Sequence, residues 1–161
     1  MGTVLDNTSP YCCCFCNNGI ESQGFDPCDL TVASNFDKEK KRHQSQWFFC
    51  HVSCFKTNMH REMQKFFVAD DPTRYCYNGK CVLFDKYDTT ECPHEYRCYI
   101  CYQKIKSIPI DPCALNLTVN FGKEECEQYN QLFYLHAKCF KQALHEEIQQ
   151  HFVLHLLEED D

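Results

Sequence analysis

The apolar positions of the chain fall into short blocks that come round twice. CDLTVASNF (28–36) and QWFFC (46–50) have strand character, and the charged run DKEKKRHQS (37–45) between them reads as a loop. The next segment, HVSCFKTNMHREMQKFFV (51–68), changes period. Phe55, Met59, Met63, Phe66 and Phe67 recur at helical spacing and predict one continuous amphipathic helix. The same order returns as CALNLTVNF (113–121), a loop, QLFYL (131–135) and a helix over 136–157. There Phe140, Leu144, Ile148, Phe152 and His155 or Leu156 form the stripe. Two strands and then a helix, written twice, predict an α+β fold.

A shift of 85 positions lays the chain on itself without a gap. Tyr11, Cys13 and Cys16 fall on Tyr96, Cys98 and Cys101. Asp26-Pro27-Cys28 falls on Asp111-Pro112-Cys113, and Gln46 and Phe48 fall on Gln131 and Phe133. His51, Cys54, Phe55 and Lys56 fall on His136, Cys139, Phe140 and Lys141. This internal comparison sorts the crowded cysteines of YCCCFC (11–16). Cys12 falls on Arg97, Cys14 on Tyr99, Cys50 on Leu135 and Cys126 on Lys41, so none of these four is repeated. The expected organisation is a flexible N-terminus (1–10), a first module (11–68), a connector (69–95), a second module (96–157) and an acidic tail (158–161).

The repeated residues are metal-binding types. Each half reads C-x2-C, then D-P-C, then H-x2-C. Two cysteines with two residues between them turn their sulfurs to one point, and a histidine and cysteine three apart on a helix share one face. Four such donors make a closed tetrahedral zinc site. The favoured ligand sets are Cys13, Cys16, His51 and Cys54, and Cys98, Cys101, His136 and Cys139, giving two zincs per chain. Cys28 and Cys113 compete for a place in the alternative, four-thiolate sites with the histidine outside. Fifteen cysteines in a chain that opens with no secretory signal fit a reducing, cytoplasmic setting in which thiols serve metal rather than disulfides. No apolar run is long enough to predict a membrane span.

Knuckle, β-hairpin and a helix that supplies the last two ligands: this order resembles the treble-clef group of zinc fingers over both halves. The fuller pattern, with D-P-C and F-[FY]-x-H-x2-C-F-K, is also similar to small bacterial proteins of unassigned role. The resemblance implies two tandem treble-clef-like zinc modules. Neither knuckle has the glycine that often follows the second ligand in that group; Asn17 and Tyr102 stand there.

In the connector, Asn78-Gly79 predicts a tight hairpin with Cys76 opposite Cys81 and Tyr77 opposite Lys80. The plain expectation is a short hairpin that packs on both modules with its cysteines reduced; the two sharper readings are a cross-strand redox disulfide between Cys76 and Cys81, and a third zinc site of Cys76, Cys81, Cys92 and His94. His60 and His145, nine residues past the ligand histidines, are expected on the far side of the helix. With four ligands per site and no acid or base placed beside an open position, no catalytic residue is assigned, and no small-molecule substrate is identified. The formal charge is −7, and each three-thiolate zinc site adds about −1 more. That balance disfavours long-range attraction to nucleic acid and suits a basic protein partner. The expected role is a non-enzymatic interaction module, an adaptor or an inhibitor such as a toxin-immunity protein. The alternative is a nucleic-acid-binding or transcription-related zinc finger using Lys38, Lys40, Lys41, Arg42, Lys56 and Arg61.

Overall fold

The structure is a computed structural model that describes residues 11–67, 69–70, 76–77, 80–81, 96–124 and 127–154. It is a mixed α/β fold. The first half supplies β1 (Cys28–Ala33), β2 (Ser45–Cys50) and the short helices α1 (Val52–Thr57) and α2 (Arg61–Gln64). The connector holds β3 (Cys76–Tyr77) and β4 (Lys80–Cys81), paired antiparallel with Cys76 opposite Cys81, as the Asn-Gly turn predicts. The second half supplies β5 (Cys113–Val119), β6 (Tyr129–Leu135) and helices α3 (Ala137–Ala143) and α4 (Glu146–Gln149). Cys92 and His94, and with them the expected third metal site, lie outside the described residues.

The four long strands form one antiparallel sheet in the order β2-β1-β5-β6. The halves join through β1 and β5, where Leu30 faces Leu117 and Val32 faces Leu115. Thr31 and Asn116, each at the same place in its own half, face each other at the centre of this ladder. The two hairpins are therefore arranged about an approximate two-fold axis through that pair.

Alternation along the strands decides which face is covered. Leu30, Val32, Phe48, Cys50, Leu115, Leu117, Phe133 and Leu135 are buried on the inner face and belong to one continuous core. The helices that cover them are exchanged between halves. Phe55 of α1 packs on Phe133 of β6 and stacks on Tyr99, with centroids 5.3 and 4.9 Å away. Phe140 of α3 packs on Phe48 of β2, again at 5.3 Å.

Polar contacts follow the same exchange. Asn35 and Asn120 end the two hairpin strands in the left-handed region, at φ 54° and 58°, a conformation asparagine tolerates. Their amides donate across the molecule to Ile110 O and Phe25 O. Gln131 accepts from Ala69 N and donates to Phe66 O, while Gln46 donates to His151 O and accepts from Val153 N. Each glutamine thus ties its strand to the end of the other half's helical segment.

The long helices expected over 51–68 and 136–157 are each broken in two. The chain leaves the helical region at His60 (ψ 140°) and at Leu144 and His145 (ψ 147° and 143°). The cause is tertiary. The amide of His60 donates to Tyr99 O in the second knuckle, and that of His145 to Cys14 O in the first. Each imidazole Nδ1 then caps the next helix, accepting from Glu62 N and Glu147 N at 3.0 Å. His60 and His145 are therefore partly buried helix caps rather than residues on the outer side of a continuous helix.

Candidate metal centres

The knuckles are built first by local hydrogen bonds. Asn17 N donates to Cys13 O and Tyr102 N to Cys98 O, both at 2.8 Å, closing turns that bring each C-x2-C pair together. The residue after the second cysteine takes a left-handed φ, 64° at Asn17 and 65° at Tyr102. Asparagine adopts this region readily, whereas a tyrosine there costs about 1–2 kcal/mol. The Tyr102 ring is held between the His60 ring, 5.1 Å away, and the Arg97 guanidinium, 4.9 Å away, contacts that offset the cost. Cys13 then bridges to Phe49 on β2 and Cys98 to Tyr134 on β6, so each knuckle is fixed to an outer edge of the sheet.

The second ligand pair comes from the strand-to-helix corner. His51 and His136 are the N-cap residues of α1 and α3, and Cys54 and Cys139 lie in the first turn. Cys13, Cys16, His51 and Cys54 each present one ligand atom, and these atoms lie within 4.8 Å of one another. Cys98, Cys101, His136 and Cys139 do the same. Nδ1 of His51 is 3.5 Å from Cys16 Sγ and 3.7 Å from Cys54 Sγ. The corresponding distances from His136 to Cys101 and Cys139 are 3.4 and 3.7 Å. A tetrahedron with usual zinc–sulfur and zinc–nitrogen bond lengths has an S···N edge of about 3.6 Å. The donor sets fit zinc in both composition and spacing.

The surroundings divide the thiols. Burial raises the Cys13 thiol, opposed by backbone N–H groups of Cys16, His51 and Phe15 aimed at its sulfur. At Cys16 burial also pushes upward, but the Asn18 N–H and the Cys13 and Cys54 thiols outweigh it and bring the group below its ordinary value. Cys54 is pushed up to about 12 by burial and by the neighbouring Cys13 and Cys16 sulfurs. Cys139 is raised for the same reasons.

Cys28 and Cys113 are not in either cluster. Their thiols donate to Phe25 O at 3.6 Å and to Ile110 O at 3.4 Å, and both are fully buried at the start of β1 and β5. The aspartate of Asp-Pro-Cys has a task that the sequence pattern did not disclose. Asp26 Oδ1 accepts from Val52 N at 2.8 Å, and Asp111 Oδ1 from Ala137 N at 2.9 Å. Each carboxylate caps the helix that begins at the ligand histidine of its own half, 26 residues downstream. Both Asp–Pro bonds are cis. Removing one cap, Asp26→Ala, is expected to cost about 1 kcal/mol in denaturant unfolding and to leave zinc stoichiometry unchanged. Loss of a metal ion from that variant would instead make the aspartate part of the site.

No family model matches the chain, and no curated protein or solved structure matches it.

Proposed function

We propose that the protein is a non-enzymatic, zinc-stabilised interaction module built from two duplicated treble-clef-like units. The reading rests on the ligand geometry. Four protein donors converge at each centre, which closes a zinc ion on all sides and gives it a structural rather than catalytic role. The compartment that suits such thiols is a reducing one. Among the described residues, no helix is long and apolar enough to cross a membrane.

The partner side is proposed from one exposed aromatic patch. Trp47 is 57% exposed and stands among Phe49 and Phe121, with centroids 5.4 and 5.8 Å away. Tyr11 joins them, 4.6 Å from Phe49. Beside this patch is a cleft of about 380 Å³ whose lining includes Tyr11, Ile20, Glu21 and Phe121. Asp29, which accepts from the Trp47 indole, and Glu21 in the cleft lining add negative charge around it. Aromatic anchors within an acidic rim suit a basic protein that inserts an apolar or aromatic side chain. An adaptor, or an inhibitor of a basic toxin, would have this surface.

Trp47 is the single tryptophan and reports directly on its own patch. Titration with a lysine-rich peptide carrying one phenylalanine is expected to shift Trp47 emission. The shift should weaken as salt rises from 0.05 to 0.5 M, roughly. Native mass spectrometry on the same sample should find two zincs per chain. Emission that does not move, or moves equally at all salt concentrations, would remove the partner assignment and leave the zinc assignment standing.

A further inference from the structure

The duplication gives the cleft beside Trp47 an internal comparison. Its walls are repeated: Tyr11, Ile20, Pro27 and Phe121 correspond to Tyr96, Ile105, Pro112 and Phe36. The same hydrogen bonds build both corners. Ile20 N donates to Tyr11 O and Ile105 N to Tyr96 O, while Phe121 N donates to Pro27 O and Phe36 N to Pro112 O. Each corner thus joins the knuckle of one half to the residues that follow the first hairpin strand of the other. In both, the two rings stand nearly at right angles. Tyr11 and Phe121 meet at 83° with centroids 5.9 Å apart, and Tyr96 and Phe36 at 89° and 6.5 Å.

The mouths of the two corners differ. Glu21 at the first corresponds to Lys106 at the second, and Gly122 at the first corresponds to Asp37 at the second. At the second corner Asp37 accepts from the Ser107 hydroxyl and pairs with Lys38 at 3.2 Å. Ser22, the match of Ser107, lines the first cleft together with Gly122, which has no side chain to bridge to it. Gly122 sits at φ 92°, a conformation that favours glycine, and a side chain starting there would begin 3.8 Å from the Tyr11 hydroxyl. Lys123, next in the chain, is turned to other acceptors, Gly24 O at 2.9 Å and Asn120 Oδ1 at 3.0 Å. The first corner is therefore an aromatic cleft with an exposed carboxylate, Glu21, in its lining.

We infer that this cleft takes a quaternary ammonium group, the trimethylated side chain of a lysine; the inference rests on the basic protein partner proposed above. Two rings at right angles bound a corner in which a rounded cation meets the negative face of an aromatic ring. The rest of the wall, Ile20 and Pro27, is apolar and buried and suits methyl groups. A bare lysine ammonium is strongly hydrated and carries three donors, and it would exchange most of its water for one carboxylate and one hydroxyl. A trimethylammonium keeps the charge and has no N–H group to satisfy. Glu21 and the net charge of −7 favour a cation over a neutral side chain of the same shape. A trimethylated lysine is apolar at its tip and still charged, so it meets both demands of an aromatic surface with acidic surroundings.

The test uses three lysine-rich peptides that differ at one position: lysine, trimethyllysine, or a neutral analogue with a tert-butyl group in place of the trimethylammonium. Binding to the zinc-loaded full chain is followed by the NMR signals of the Tyr11 and Phe121 rings. The trimethyllysine peptide should bind about tenfold more tightly than the other two and shift both rings. Glu21→Lys, which gives this cleft the residue of the other corner, should remove most of that preference. Lys106→Ala at the other corner should leave it unchanged, and both variants, at exposed positions, should keep two zincs. The assignment is overturned if the preference persists in Glu21→Lys, or if the neutral analogue binds as tightly as the cation. Equal binding of the lysine and trimethyllysine peptides also overturns it, but leaves the basic-partner reading standing; no binding of any peptide removes both. Free choline presents the same head group without a peptide. If it displaces the trimethyllysine peptide at equal concentration, the ligand is a small molecule or a lipid head group and the lysine assignment falls.

Discussion

Serine at Cys54 is expected to release one zinc and to unfold the protein. The substitution leaves Cys13, Cys16 and His51 without the thiolate that joins them to α1. A structural zinc contributes on the order of 10 kcal/mol or more to a small domain, and whole domains of this size are stable by roughly 5–15 kcal/mol. Loss of one centre is therefore comparable to the entire margin. Because both halves share a sheet and a core, the damage should not stay in the first half. Native mass spectrometry should find at most one zinc, and heat or denaturant should unfold the variant far below the parent. Cys28→Ser supplies the contrast: it should keep both zincs, since Cys28 donates to Phe25 O and lies outside the cluster. If Cys54→Ser keeps two zincs and Cys28→Ser loses one, the ligand set is wrong.

The same site predicts opposite pH behaviour for empty and filled protein. In the empty folded site Cys54 is raised to about 12 from 9.0. A group raised on folding contributes stability that is complete below the unfolded value and lost as pH climbs through the folded one. The chelated protein, where it remains folded, should therefore lose stability between about pH 9 and 12. The filled site holds thiolates, so acid competes with zinc and releases it as pH falls. Melting curves across pH, with and without chelator, should show the two trends crossing in sign.

The two Cys/His clusters were legible in the sequence because the chain repeats their residues in register, and chemistry restricts what Cys and His at those spacings can do. Strand positions were legible from the apolar blocks, and the β3–β4 pairing from Asn-Gly. Part of what escaped depends on the other half. The break at His60 has no proline or glycine to announce it; its cause is Tyr99 O, far along the chain. Cys14 and Cys50, unrepeated and without a ligand role, are buried core residues whose thiols burial pushes well upward. The helix-capping role of Asp26 was hidden because a cap is normally sought next to its helix in sequence.

Alanine at Phe140 should destabilise the half of the protein to which Phe140 does not belong. The ring is fully buried in α3. Its neighbours are Phe48 at 5.3 Å, Phe152 at 5.9 Å and Phe15 at 6.0 Å, so two of the three belong to the first half. Removing a buried phenylalanine costs about 3–5 kcal/mol through lost burial and the cavity left behind. Hydrogen exchange should then accelerate in β1 and β2 as well as in β5 and β6, and a chelator should strip zinc faster from both centres. Phe55→Ala is the mirror experiment: its ring rests on Tyr99 and Phe133, so the second half should loosen. Independent modules would give the opposite pattern, each variant disturbing its own strands and its own zinc alone. Exchange confined to the mutated half would mean that the helices do not hold the two halves together. The shared sheet would then be a contact between separately stable units rather than the frame on which both metal centres depend.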